Sequence, residues 1–402
     1  MGPRLGRLRA FRHVAVAGGM TGAARALRLT QPAVSRAVQG LERDLDVALV
    51  ERRGDGSVLT EEGRVLGRRV ERLFAQLAAA VANATGRDPE ADTVVRVVRA
   101  LGDGHLRSLD AIWTAQTFRR AAAALDVAEP TLHRAARDLE RLVAVSLYRR
   151  TRDGVGLSPA GTELARRFAL AAAEIRAGLE ELSLRRGSAA ATITVGVLAL
   201  APTRMVALAA EAMLRRHPGA RLTIREAAYA ALADALRSGG LDLIFGALRA
   251  PPPFDDLREE GLFPDPYRIA CRRDHPLAAR RHLTPADLRG VDWVVPTRSL
   301  PRRAVTDRIM ADWGLTQRVQ IEADSLGATV SALAASDRIS LLPHATVVAD
   351  DRPDRLAVLD LAIPHPPRIV GLTTRADWLP TAVQADFVNR LREICGSGVG
   401  QA

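Results

Sequence analysis

Apolar positions recur at helical spacing from the start of the chain: Leu8, Phe11, Val14 and Ala15 share one face. Gly18-Gly19 closes that helix, and Thr21 is placed to cap a second one running through Ala23, Ala24 and Leu27. The paired alanines let a neighbouring helix press close. Thr30 is placed to cap a third helix with Pro32 in its first turn, where a missing N–H costs nothing. This helix turns Val34, Val38, Leu41 and Leu45 inward and Gln31, Ser35, Arg36 and Gln39 outward. Two short helices joined by a tight turn, the second with a polar outer face, make a helix-turn-helix. The segment ALVERRGDGSVLT then reads as two short strands around Gly54-Asp55-Gly56, a wing with arginines on its arms. Thr60 caps a long helix, with Glu61 and Glu62 well placed at its positive end.

The long helix carries a coiled-coil seam. Leu66, Val70, Leu73, Leu77 and Ala80 are spaced four, three, four and three residues apart. Such a seam needs a partner helix, most simply the same helix of another subunit, or else its own domain.

The whole pattern then repeats. Shifting the chain by 98 positions lays residues 8–66 on 106–164 without a gap, with 21 identities in 59 positions. The matches include Ala23/Ala121, Pro32/Pro130, Arg36/Arg134, Leu41/Leu139, Glu42/Glu140, Leu49/Leu147 and Gly63/Gly161. Because Pro, Gly and Leu match as well as Ala and Arg, shared composition does not explain the repeat. Leu164, Phe168, Ala171, Ile175, Leu179 and Leu182 form a second seam. Between the copies, TGRDPEAD reads as a loop, and TVVRVVRAL as a short helix or strand.

From Thr192 the period changes. ATITVGVLAL, ARLTIREA and LDLIFGAL read as strands separated by helices, which predicts a parallel sheet with crossover helices. YRIACRRDHPLA, WVVPTR, VQIEAD, ISLLPH and RIVGLTTR read as further strands, with helices such as LPRRAVTDRIMADWG and SLGATVSALAAS between them.

The stretch LRAFRHVAVAGGMTGAARALRLTQPAVSRAVQGLERDLDVALVERRGDGSVLTEEG resembles the DNA-binding module of LysR-type transcriptional regulators nearly end to end, and LRSLDAIWTAQTFRRAAAALDVAEPTLHRAARDLERLVAVSLYRRTRDGVGLSPAG is similar. TVGVLALAPTRMVALAAEAMLRRHPGARL, LRSGGLDLIFGAL and RRDHPLA resemble the effector domain of the same family, and so the type-2 periplasmic-binding-protein fold. The resemblance implies a multidomain chain. Residues 1–86 would be a winged helix-turn-helix with its linker helix, 87–105 a connector and 106–187 a second such module. Residues 192–395 would be an α/β effector-binding domain of two lobes: lobe I over about 192–266 and 365–395, lobe II over about 267–364, with crossings near 266–270 and 362–370. It also implies binding of double-stranded DNA as a dimer through the linker helix, with the third helix in the major groove. One module is usual in the family, so a tandem pair is a departure.

Gln31, Pro32, Ser35 and Arg36 match the family's recognition-helix positions. Gln pairs bidentately with adenine and Arg with guanine, while Ser reaches a phosphate or base edge. Arg52 and Arg53 suit phosphates or the minor groove. In the second copy Gln31 becomes Glu129 and Ser35 becomes His133, while Arg134, Arg137, Arg149, Arg150 and Arg152 keep it basic. Glu129 repels phosphate, though it can accept from cytosine. The second module is therefore either a DNA binder or a structural spacer or dimerisation unit that has kept its fold.

For the effector the resemblance points to the cleft, where loops leave strand ends and helices begin. Thr203 and Arg204 open the helix after the first strand, and a helix N-terminus beside an arginine favours an anion. Thr297 and Arg298 follow WVVP, Ser325 begins a helix after VQIEAD, and the small Gly246 near the end of the third strand leaves room for ligand. Helix capping and solvated surface charge are the ordinary alternatives for these residues. The likeness is greatest to regulators of sugar-binding-protein and aromatic-acid catabolic genes. The expected effector is a polar or anionic small molecule.

Charge agrees with this division. All 57 basic residues are Arg, and the net charge is +11. Of this, +9 lies in residues 1–188 and +2 in the remainder. Part of the total reflects an Arg- and Ala-rich composition, which leaves the asymmetry unexplained; a polyanion partner for the N-terminal half explains it. The two cysteines have no metal spacing, no segment reads as a signal peptide, and no stretch is apolar enough to span a membrane. A cytoplasmic location without membrane partner, cofactor or metal follows. GxGxxG, P-loop, HxxxH and GxSxG motifs are absent, so no enzyme is expected. The alternative is a solute-binding protein or enzyme of the periplasmic-binding fold whose helix-turn-helix modules serve only assembly. The seams predict a homodimer or homotetramer.

Overall fold

The computed structural model describes residues 3–53, 56–151, 154–187, 191–249, 251–316, 319–348 and 355–397. It divides into two units, residues 1–191 with 237–240 and residues 192–236 with 241–402. Among the described residues no helix is long and apolar enough to cross a membrane.

In the first unit α1 (Leu5–Ala17), α2 (Met20–Leu27) and α3 (Gln31–Leu45) precede the antiparallel pair β1 (Val50–Arg53) and β2 (Gly56–Leu59) and the long α4 (Glu61–Thr85). After α5 (Asp92–Ala100) the same order recurs: α6 (Asp103–Ala115), α7 (Phe118–Ala124), α8 (Glu129–Val143), β3 (Tyr148–Thr151), β4 (Gly154–Leu157) and α9 (Pro159–Arg185). Gly54, Asp55 and Arg152 lie outside the described residues, as does the side chain of Arg53.

Several repeated residues have one physical reason in both copies. Glu42 Oε1 accepts from the N–H groups of Leu49 and Val50 at 2.8 and 3.1 Å, fastening the end of α3 to its wing. Glu140 does the same for Leu147 and Tyr148 at 2.8 and 3.2 Å. Thr60 and Ser158 cap the long helices by accepting from Gly63 and Gly161 N–H. Those glycines are required because a Cβ would lie 2.0 Å from the Leu49 carbonyl oxygen, or 2.1 Å from that of Leu147.

Three local expectations are corrected. Helix α2 begins at Met20, with Gly19 before it, so Thr21 lies inside the helix. Thr30 stands at the cap position of α3, but its side chain makes no cap bond. TVVRVVRAL is a helix, and α6 starts at Asp103, inside the stretch read as connector. Asp103 Oδ1 accepts from Leu5 N–H at 2.8 Å, and Arg9 reaches the carbonyls of Val98 and Leu101, so this stretch is bonded to α1.

The larger correction concerns the seam. The partner of α4 is α9 of the same chain. Leu66, Val70, Leu73, Leu77 and Ala80 are buried together with Leu164, Phe168, Ala171 and Ile175 in one cluster. The helices run antiparallel: Arg185 near the end of α9 pairs with Glu61 and Glu62 at the start of α4. A polar cluster crosses the apolar contact. Arg69, 1% exposed, donates to Glu174 at 3.0 Å and Glu181 at 2.5 Å, and Arg72 reaches Glu174 at 2.8 Å. Arg69 lies over Gly178, where a Cβ would meet its stem at 3.0 Å.

Among the described residues the second unit holds a five-stranded, a three-stranded and a two-stranded sheet. The first has the order β6-β5-β7-β14-β8, from β5 (Thr192–Val197), β6 (Arg221–Glu226), β7 (Leu243–Ala247), β8 (Leu257–Asp265) and β14 (Arg368–Arg375). Strands β5, β6 and β7 are parallel; β14 runs antiparallel between β7 and β8, so the expected parallel sheet is mixed. Helices α10 (Thr203–Arg216), α11 (Tyr229–Arg237) and the C-terminal α15 (Ala382–Gly396) belong to this part of the chain. The second sheet contains β9 (Tyr267–Arg272) between β12 (Ser340–Pro343) and β13 (Leu356–Val358). The parallel pair β10 (Trp293–Val295) and β11 (Val319–Glu322) meets β12 through a bridge between Trp293 and Ile339. Helices α12 (Pro301–Asp312), α13 (Leu326–Ala334) and α14 (His344–Val348) alternate with these strands. The chain crosses between the sheets at Pro266 and returns over residues 359–367.

Candidate functional site

The exposed face of α3 follows from its packing. Val34, Val38 and Leu41 are fully buried, in one cluster with Phe11, Ala23 and Leu49. The helical period then leaves Gln31, Pro32, Arg36 and Gln39 exposed and Ser35 half-buried. Among the described residues Arg36 donates to the Pro32 carbonyl of its own turn, at 3.3 Å, and its side chain is exposed. Arg52 is exposed on β1.

In the second copy Leu132, Ala136 and Leu139 are buried, and Glu129, Arg134 and Arg137 are exposed. Here the face is partly closed by its own side chains. The His133 imidazole stacks on Phe118, with centroids 4.2 Å apart and planes 10° from parallel. Its Nε2 lies 3.5 Å from Glu129 Oε1. Arg134 donates to Thr131 Oγ1 at 3.4 Å, and Arg149 and Arg150 are exposed on the wing strand. Phe118 stands where the first copy has Met20, and His133 where it has Ser35, so the first copy has neither ring of this stack.

The effector candidates fall into groups. Thr203 and Arg204 are the first two residues of α10, both exposed, with Pro202 at the cap position. Gly246 has φ 152°, and a Cβ there would lie 2.7 Å from Leu198 Cβ, so Leu198 takes the room the glycine leaves. Thr297 and Ser325 come together at the ends of β10 and β11. Thr297 Oγ1 bonds Asp324 and lies 2.9 Å from Ser299 Oγ, and Ser325 accepts from Ala328 N–H at 3.1 Å as the cap of α13. Arg298 is exposed beside this group. Asp324 adds a carboxylate that the sequence reading did not include.

The sequence reading also missed three arginines of this unit, Arg368 half-buried and Arg302 and Arg303 buried. Arg368 donates to Asp265 Oδ2 at 2.7 and 3.0 Å and to the Leu200 carbonyl at 2.6 Å. Asp265, 1% exposed, also accepts from Ala345 N–H at 2.8 Å, and Thr346 Oγ1 donates to Leu200 O at 2.9 Å. Leu200, on the loop into α10, has φ 63°, a conformation that a branched residue keeps only when its surroundings hold it. One network thus ties the loop before Thr203 to both the crossing strand and α14. Arg302 donates to the Leu341 carbonyl, and burial brings its pKa down to about 10. Arg303 is bonded to the Pro296 carbonyl and Glu322 at 3.0 and 2.8 Å. Arginine is normally a surface residue, so nothing in its identity signalled these positions.

Residues 186–396 match the LysR substrate binding domain, and residues 5–64 and 104–162 match the bacterial regulatory helix-turn-helix protein, lysR family. The chain is 27% identical over 393 residues to the HTH-type transcriptional regulator GalR of Pseudomonas putida, covering 98% of this chain and 97% of that one. It is 27% identical over 295 residues to the regulator PcaQ of Agrobacterium fabrum, covering 73% and 94%. A full-length, singly substituted OxyR from Pseudomonas aeruginosa superposes with a TM-score of 0.51 at 22% identity, covering 73% of this chain and 93% of that one, a likeness of fold.

Proposed function

Because the chain belongs to the LysR family, and so is a DNA-binding transcriptional regulator with an effector-binding domain, we propose that it reads its operator mainly with α3 and senses a polar or anionic metabolite in its C-terminal unit. Regulators of this family bind DNA and small-molecule effectors and work as oligomers. The relatives are regulators, not solute-binding proteins or enzymes, which displaces the assembly-only alternative. We take this chain likewise to turn over no substrate and to act in the cytoplasm.

The finer organisation is also a proposal. Residues 1–86 and 106–187 act as two winged helix-turn-helix modules joined by 87–105. Residues 192–395 form an effector domain of two lobes, 192–266 with 365–395 and 267–364. The observation that carries the reading is the exposed row Gln31, Arg36 and Gln39 on a helix fastened to its wing by Glu42. The first module supplies most of the sequence specificity. The second, with Glu129 on its reading face and His133 stacked away, adds mainly charge-driven affinity.

Arg36→Ala should weaken operator binding by about 1–3 kcal/mol, the value of a good bidentate base contact, and leave non-specific binding nearly unchanged. Arg52→Ala should weaken both and reduce the salt dependence by about one phosphate contact. Gel-shift titrations on operator and random duplex measure both. Equal losses on the two duplexes for Arg36→Ala would remove α3 as the reader. For the effector, a saturating small organic acid should raise the melting point of the second unit; at about 100 times its dissociation constant the gain is about 2.7 kcal/mol. Thr297, beside the carboxylate of Asp324, and Arg204 divide the chemistry: loss of an acid's effect in Arg204→Ala supports the anion site at α10. An acid that still stabilises Arg204→Ala fully would contradict it.

A further inference from the structure

We propose that one chain is a complete two-headed reader, whose fitting partner is a duplex carrying two unlike half-sites about one helical turn apart. The inference rests on the DNA-binding reading above and goes beyond it in naming the symmetry of the partner.

Three observations carry it. First, the linker-helix surface is used up inside the chain. Leu66, Val70, Leu77 and Ala80 are completely buried, and Leu73 nearly so, by the chain's own residues, with Leu164, Phe168 and Ala171 on the facing helix. No second chain is needed to cover the seam.

Second, the contact is reciprocal in the manner of a two-fold dimer interface, where residue i meets j and j meets i. Arg69 of α4 reaches Glu181 of α9 at 2.5 Å. The residues 98 positions along from this pair are Arg167 on α9 and, in reverse, Asn83 on α4. With its amide oxygen turned toward Arg167, Asn83 accepts from Nε and Nη2 at 3.0 and 2.9 Å. The two copies within one polypeptide are therefore arranged as two subunits would be. Because α4 and α9 are antiparallel, α3 and α8 belong to modules at opposite ends of the pair. The 25 residues of α4 span about 37 Å at 1.5 Å per residue, close to the roughly 34–36 Å of one duplex turn.

Third, the two heads are unlike. Two identical subunits related by a two-fold axis demand a palindromic site, whereas copies fused and diverged in one chain do not. The α3 face offers Gln31, Ser35, Arg36 and Gln39; the α8 face offers Glu129, Arg134 and Arg137, with His133 held by Phe118 and Glu129. Glutamine suits adenine, arginine suits guanine and glutamate suits cytosine. A helix with Glu129 foremost would reject the half-site that suits Gln31. Further copies joined through the C-terminal units would add reader pairs rather than complete one.

The test uses the full chain and base-by-base substitution of its selected operator, scored by affinity and by hydroxyl-radical footprint. Arg36→Ala should abolish discrimination, by tenfold or more, within one half only. Arg137→Ala and Arg134→Ala should weaken protection in the other half only. These side chains are exposed, and an unchanged melting curve confirms that each variant folds. Symmetric loss over both halves from Arg36→Ala would overturn the inference, since two first modules from two chains would then be reading a palindrome. So would variants of α8 that change neither half. Either result leaves the DNA-binding reading standing. A wild-type protein that shifts no duplex would overturn both.

Discussion

Replacing Leu73 and Leu77 together with Glu is expected to unfold the first unit, not to split an oligomer into folded monomers. Both side chains are almost or completely buried in the contact between α4 and α9. Truncating a buried Leu typically costs about 2–5 kcal/mol, and placing a carboxylate in an apolar contact adds several kcal/mol more. Two such changes approach the whole stability of an ordinary domain, about 5–15 kcal/mol. Because the partner helix is in the same chain, the loss should not depend on protein concentration. Helical circular dichroism during thermal unfolding, repeated over a wide concentration range, separates the two cases. A variant that keeps its folded first unit and only sediments as a smaller species would show that the seam is shared between chains. Leu73→Ala is the milder control, expected to lower stability by about 2–5 kcal/mol.

Asp265→Ala should destabilise the second unit by about 3–5 kcal/mol, the cost of leaving a buried charge without its partner. Arg368 would lose both of its bonds to the carboxylate, and Ala345 N–H would lose its acceptor. The Leu200 carbonyl, which Arg368 and Thr346 hold in a strained turn, would be held less firmly. The effector response should weaken with it, because that turn leads into α10 and Thr203. Asp265→Asn keeps an acceptor for Ala345 N–H and should lose less. Denaturant unfolding of the full chain, followed with and without an acid that stabilises the wild type, measures both effects. A loss under about 1 kcal/mol would mean that water replaces the carboxylate and that the network is not structural.

The order of three helices, a strand pair and a long helix, and the recurrence of that order, were legible because local physics fixes each element. Glu42 and Glu140 must meet wing N–H groups, and Gly63 and Gly161 must pass a carbonyl with no room for a Cβ. The seam was legible as a stripe, but an apolar stripe does not say whose helix covers it. That information lies in pairs such as Arg69–Glu181 and Asn83–Arg167, which only become pairs once the two helices are set side by side. Strand β8 was missed because Gly261 and Pro264 interrupt its alternation, and it is Leu257, Phe263 and Asp265 that bury. Among the effector candidates Ser325 takes the helix-cap role that its position allowed, and Gly246 makes room for Leu198. Arg302 and Arg303 were invisible because burial of an arginine depends on carbonyls and carboxylates that distant segments supply.

The most direct test of the account is a gel shift of the full chain with the DNA upstream of its own gene, titrated with salt. A specific complex is expected whose affinity falls linearly with salt on logarithmic axes, with a slope of several charges, and shifts when a recognised metabolite is added. A protein that forms no complex at any salt concentration, with or without metabolites, would contradict it.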